Sequence, residues 1–165
     1  MNKAINIQSK KAKSVLKQFK NKRYSSIDIQ FENVHLKQLN KLLSSEVFFK
    51  NDLFVNSATL FELMQPVGQS GNHNYHGLLP EDILECLKNL IEPEYIIESK
   101  NNRFIIVPMF CSSYDLPLMV IIEIGAGLSN NKNANINKLV TIYPKSELGK
   151  YIKSIEANRI LYIKK

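Results

Sequence analysis

From Tyr95 onward the apolar residues of this chain stop recurring every three or four positions and begin to alternate, and this change of period limits the fold more than any other feature. Side chains on one face of a strand repeat every second residue, those on one face of a helix about every 3.6. A chain that is helix-like first and strand-like afterwards points to an α+β arrangement. Tyr95 to Glu98, Phe104 to Phe110, Leu118 to Ile124, Leu139 to Tyr143 and Ile160 to Ile163 are the expected strands. Asn101-Asn102 fits a hairpin turn between the first two, and Ser112 to Pro117 turns the second into the third. Gly125 to Asn135, rich in Gly and Asn, predicts a longer, mobile connection to the fourth. Ser146 to Ser154, with Leu148, Tyr151 and Ile152 on one side, predicts a helix before the last strand. The expectation is a mainly antiparallel, twisted sheet of about five strands with helices packed on one face.

Upstream, Ser26 to Phe31 alternates Ile27, Ile29 and Phe31 against polar residues and reads as a half-buried strand. Asn33 to Leu43 has helical periodicity with Asn33 as N-cap. A second helix is expected after Asn56 or Ser57, covering Ala58 to Met64 and ended by Pro66. Val67 to Leu79 is one long irregular stretch, and loops of that length in compact domains are usually functional or mobile. Pro80 opens a helix whose first turn carries Glu81 and Asp82, where acids suit the helix dipole, and Pro93 stops it.

A chain of 165 residues with 44% apolar side chains can bury one core and is too short for two ordinary domains. The expected organisation is a basic N-terminal helical segment, 1–25, followed by a single domain, 26–165. The first segment holds eight Lys or Arg (Lys3, Lys10, Lys11, Lys13, Lys17, Lys20, Lys22, Arg23) and no acid, against a net charge of +7 for the whole chain. Charge of one sign gathered in one segment raises the local potential for polyanions, and nucleic acid is the expected partner; a solvated tail is the plainer alternative. Val15, Leu16 and Phe19 lay an apolar stripe along this segment that could dock on the body or lie along a phosphate backbone. No apolar run approaches the roughly 20 residues of a membrane-spanning helix, and the N-terminus lacks the pattern of a secretory signal. The expected compartment is the cytoplasm, with no membrane partner. Cys86 and Cys111 lie far apart in apolar patterns and are expected to be buried thiols.

Phosphate-binding, dinucleotide-binding, serine-hydrolase and zinc-protease motifs do not occur, so nucleotide hydrolysis and zinc proteolysis are not expected, nor is a cofactor. His73 and His76 stand three apart in the Gly- and Asn-rich loop, and with no clustered Cys or carboxylate they do not make a metal site. A His can instead give or take a proton near neutral pH, or serve only as a surface group.

An ordered set of short motifs runs through the C-terminal two thirds: His73-Asn74-Tyr75-His76-Gly77-Leu78, then Pro93, Tyr95-Ile96-Ile97, Ser99, Arg103 and the strand around Val107. Pro117 to Ile121, Asn137 to Tyr143 and Arg159 to Ile163 continue it. Over about residues 50–165 this order resembles the MuF-associated C-terminal domains of phage minor head proteins, which are grouped with ribonucleases of the barnase, EndoU, colicin and RelE type, many of them toxins. The chain departs from the pattern at Pro144, where the family strand often has Gly, and at Leu116 before Pro117.

The resemblance implies a sheet beside a helical layer. It makes His76 the leading acid/base residue, with Thr141 and Tyr143 directed from a strand toward the same cleft. His73, Ser99, Arg103, Asn137 and Lys145 would contact substrate or support the site. The implied chemistry is metal-independent RNA cleavage by attack of the 2′-hydroxyl on the adjacent phosphate. His76 would protonate the leaving oxygen, Tyr143 or Thr141 would orient the hydroxyl, and Lys145 or Arg103 would meet the phosphoryl charge. RNA is the implied partner, with room for a cognate immunity protein or antitoxin. The alternative is a non-catalytic phage-encoded binding protein, or an inhibitor of a host system, that reuses the fold. The start at Met1, without the long head-protein region that precedes such domains, leans toward that alternative.

Overall fold

The computed structural model describes residues 5–7, 12–24, 27–32, 34–71 and 73–165. The first half contains β1 (Ile5–Ile7), α1 (Ala12–Asn21), β2 (Asp28–Phe31), a 3-10 turn at Leu36–Leu42, β3 (Leu53–Asn56), α2 (Ser57–Met64) and α3 (Pro80–Lys88). The second half contains β4 (Pro93–Glu98), β5 (Arg103–Pro108), β6 (Leu118–Leu128), β7 (Asn131–Pro144), α4 (Leu148–Lys153) and β8 (Ile160–Ile163). The strands join in one eight-stranded sheet in the order β1-β2-β3-β7-β6-β5-β4-β8.

The α+β class holds, but the sheet is larger and more mixed than expected. The β1/β2 and β3/β7 pairs run parallel, and the rest antiparallel. The short upstream strands, of three or four residues each, extend the sheet beyond β7; β2 is the one expected, and β2 and β3 both alternate half-buried and buried residues.

Helices also cover both faces rather than one. On one side α1, α2 and α3 close the main core over Ile96, Phe104, Ile106, Val120, Ile122, Leu139 and Ile142. On the other, Leu148, Tyr151 and Ile152 from the α4 region cover a smaller cluster of Ile97, Ile105, Val107 and Met119. The reason lies in the central strands: Phe104 to Pro108 are buried without interruption, so both faces of the sheet need an apolar cover.

α1 docks on the body. Leu16 and Phe19 are buried in the main core, and the cations lie on the other side of the helix. The expected helix at Asn33 to Leu43 is a 3-10 turn instead, and its expected cap, Asn33, lies outside the described residues. α2 begins as expected, with the Asn56 side chain accepting a hydrogen bond from Ala58 N at 2.9 Å. Cys86 is buried, but Cys111 is exposed, against expectation.

The stretch Gly125 to Asn135 also differs from expectation. It forms the end of a long hairpin rather than a mobile connection. β6 and β7 stay paired through Ala126↔Ile136 and Leu128↔Asn131, and Ala126 and Ile136 are buried. The Asp28 carboxylate holds the tip, accepting hydrogen bonds from Ser129 N (2.7 Å) and Ser129 Oγ (3.0 Å). Gly125 (φ +75°) and Asn135 (φ +51°) take left-handed conformations where the register shifts, so the residue types that suggested mobility serve bulges here.

Candidate functional site

The site forms where β7 loses its outer neighbour. β3 pairs with β7 only at Leu53↔Asn137 and Phe54↔Lys138, and the chain then turns at Asn56 into α2, which lies against β7. At the same place β7 carries one residue more than β6. Ile122 pairs with Leu139 and Ile121 with Thr141, leaving Val140 as the extra residue. This bulge resets the alternation of the strand. Leu139 and Ile142, three apart, both pack into the main core, whereas Tyr143 packs with the opposite cluster and Thr141 is left half-buried.

His76 arrives from the irregular loop, which is pinned to α2 just downstream. Gly77 N donates to Gln65 O at 2.7 Å and Leu78 N to Leu63 O at 2.9 Å, and Leu78 is buried. Gly77 has φ +66°, a conformation that costs a glycine little and lets the chain reverse beside Val67. The Asp82 carboxylate then accepts Leu79 N at 3.2 Å, fixing the start of α3.

These constraints bring three of the expected residues together. His76 Nε2 lies 3.3 Å from Thr141 Oγ1, and the His76 and Tyr143 rings are 6.0 Å apart between centroids. They border two adjoining clefts. One, of about 510 Å³, is lined by Thr59, Glu62, Leu63, Asn74, Val140 and the three converging residues. The other, of about 360 Å³, lies among Val67, His73, Tyr75 and Pro144 and shares His76 and Tyr143 with the first. Both volumes fall within the roughly 300–1,000 Å³ of small-ligand sites.

Burial lowers the His76 pKa below its ordinary 6.5, which favours the neutral imidazole at pH 7. Burial, with Tyr151 adding to it, raises that of Tyr143 above its ordinary 10.0 and keeps the phenol protonated. The cluster thus pairs a neutral proton acceptor with a hydroxyl donor.

The remaining expected residues divide. His73 joins the second cleft. Arg103 instead pairs with Glu123 across β5 and β6, its Nε 3.0 Å from Oε2. Lys145 lies over the Tyr151 ring at 5.2 Å. Asn137 is buried and donates to Lys50 O at 2.8 Å, a structural tie. Ser99 closes the β4–β5 turn through its backbone bond to Arg103 O. None of these four lines the two clefts.

Sequence reasoning passed over Glu62 at the first cleft and Tyr75 at the second. Glu62 of α2 forms part of the first cleft's wall and holds Arg23, with Nη2 3.1 Å from Oε1. The Arg23 side chain is 57% exposed and lies outside the lining of the cleft itself. Arg23 was visible only as one of eight cations, and nothing in the spacing singles it out. Tyr75, an aromatic residue inside a Gly- and Asn-rich loop, did offer a signal. Among the described residues no group of three or more His, Cys, Asp or Glu is placed to hold a metal ion, and no helix is long and apolar enough to cross a membrane.

A family model for the phage MuF C-terminal domain matches residues 68–165, more than half of the chain. The chain belongs to that family. The MuF C-terminal domain match takes in His73, Tyr75, His76, Thr141 and Tyr143, whereas Arg23, Thr59, Glu62 and Leu63 precede it. One wall of the first cleft is therefore built outside the matched MuF span. No curated protein and no solved structure matches the chain.

Proposed function

We propose that this MuF C-terminal domain protein is a metal-independent endoribonuclease, a toxin or phage effector that cleaves RNA by attack of a 2′-hydroxyl on the adjacent phosphate. The observation that carries the reading is the His76–Thr141 contact at 3.3 Å, with Tyr143 beside it on an open cleft. In the proposed step His76, neutral because it is half-buried, accepts the 2′-proton as the 2′-oxygen bonds to phosphorus. The bond from phosphorus to the 5′-oxygen breaks, and the protonated Tyr143 phenol supplies the proton that oxygen needs. His76 returns its proton to Tyr143 through solvent, and a cyclic phosphate is left. This assignment reverses the role expected for His76, because a lowered pKa suits an acceptor better than a donor. Thr141 orients the imidazole.

Arg23 takes the part assigned to Arg103 or Lys145. Its exposed guanidinium is tied through Nη2 to Glu62 of the cleft wall, and the planar group has further donors to offer a phosphate. Incubating the purified protein with total RNA in EDTA tests the reading, with His76→Ala for comparison. The wild type should leave 2′,3′-cyclic phosphate ends and the variant should not.

A second reading, a non-catalytic binding protein or inhibitor that reuses the fold, is favoured by one observation. A carboxylate, Glu62, lines the first cleft, while no Lys or Arg does so among the described residues. Intact RNA after incubation with folded wild type would move the conclusion to this reading.

A further inference from the structure

The second cleft differs in chemistry from the first. Its lining is made of His73, Tyr75, His76 and Tyr143, with Val67, Pro144 and the backbone of Gly68 and Gly71; it holds four ring-bearing unsaturated side chains and no Lys, Arg, Asp or Glu. Such a surface has nothing to attract a phosphate and much to offer a flat heterocycle, because every nucleobase has a π-face that stacks on aromatic side chains. Space is available as well. Gly68 and Gly71 have positive φ, and nothing lies within 4 Å of where a Cβ would stand on either, so the glycine side of the cleft is open. Tyr75 is itself braced, its ring meeting that of Phe61 edge to face at 6.4 Å.

We infer that the cleft between Tyr75 and Pro144 is a binding site for one unpaired nucleobase next to the phosphate held at His76. The inference rests on the nuclease reading and narrows its substrate to single-stranded RNA. His76 and Tyr143 belong to both clefts, so a base in the second places its own sugar and phosphate at these two residues. A base inside a duplex is stacked on both faces and paired along its edge. It can enter such a recess only after leaving the helix.

The test uses a labelled 2′-O-methyl RNA oligonucleotide, which lacks the attacking hydroxyl, alone and annealed to its complement. Fluorescence anisotropy with full-length wild type should show at least about tenfold tighter binding of the single strand, and Tyr75→Ala should remove about tenfold of that affinity while leaving duplex binding unchanged. Tyr75→Phe should retain it. His73→Ala, which alters an exposed side chain, should lower single-strand affinity about threefold. Losses equal for single strand and duplex, or no loss in either alanine variant, would overturn the site. Cleavage of unmodified RNA, followed in parallel, separates the two ideas. Cleavage with an unchanged KM in Tyr75→Ala overturns the base site and leaves the nuclease standing. No cleavage by wild type, with Tyr75-dependent single-strand binding intact, overturns the nuclease and supports the base site.

Discussion

His76 Nε2 and Thr141 Oγ1 stand 3.3 Å apart although 65 residues separate them in the chain. Two local devices produce the meeting. The Val140 bulge turns Thr141 off the core face, and the Gly77 reversal, bonded to Gln65, sets the loop across the open edge of β7.

Replacing His76 by Ala should lower RNA cleavage by about 10²- to 10⁴-fold, the usual contribution of a positioned general base. Cleavage by wild type should rise with pH through the lowered His76 pKa and level off by neutrality. Stability carries the same sign. The folded pKa lies below the unfolded 6.5, so the contribution is present above that pH and lost as pH falls through the folded value. Urea unfolding between pH 7 and pH 4.5 should therefore show a steeper loss in wild type than in His76→Gln; parallel curves would contradict the assignment.

Tyr143 should titrate later than an ordinary tyrosine, because burial and Tyr151 raise its pKa above 10.0. Its contribution to stability is present below that pH and lost as pH rises through the raised value. Ultraviolet titration should lose a late-ionising phenol in Tyr143→Phe, and the same variant should cleave RNA more slowly. An unchanged titration curve would count against the buried setting.

Arg23→Ala should weaken RNA binding and reduce the slope of log affinity against log salt by about one, the signature of one lost phosphate contact. Arg103→Ala should leave the slope alone. Stability should change by less than about 1 kcal/mol, since the Arg23 side of the pair is open to solvent. An identical salt slope in Arg23→Ala would remove Arg23 from the site.

Leu16→Ala should cost about 2–5 kcal/mol in urea unfolding, as expected for a fully buried leucine. α1 is part of the core, so deleting the basic segment would disturb the fold along with any RNA contact. Charge substitutions at Lys17 or Lys20 are the cleaner probe. A cost below about 0.5 kcal/mol would mean that α1 is a detachable appendage.

Gly127→Ala should destabilise the hairpin, because the added Cβ would meet the Lys132 backbone, its oxygen at 2.6 Å and Cα at 2.7 Å, where no side chain can yield. Hydrogen exchange should find protected amides at Ala126 and Ile136 in wild type and faster exchange in the variant. Fast exchange in wild type would restore the mobile connection that composition suggests.

The strands β4, β5 and β6, the helices beginning at Ser57 and Pro80, and the shared face of Thr141 and Tyr143 were legible in the sequence, because period, caps and two-residue spacing are local properties of the chain. The helix over Leu148 to Lys153 was legible too, but its place on the second face of the sheet was legible only in retrospect, from the unbroken apolar run Phe104 to Val107. The short parallel strands, the Val140 bulge and the paired hairpin end at Ala126 depend on which strand lies alongside, and no local pattern records that. The same holds for the cations. The motif points to Arg103 and Lys145, but Glu123 and Tyr151 occupy them, while Arg23 pairs with Glu62 of the cleft wall because α1 packs on α2. Local periodicity determined which segments became helices and strands; packing between segments far apart in the chain decided which side chains share a cleft, because contact across a sheet edge depends on register and docking rather than on spacing in the chain.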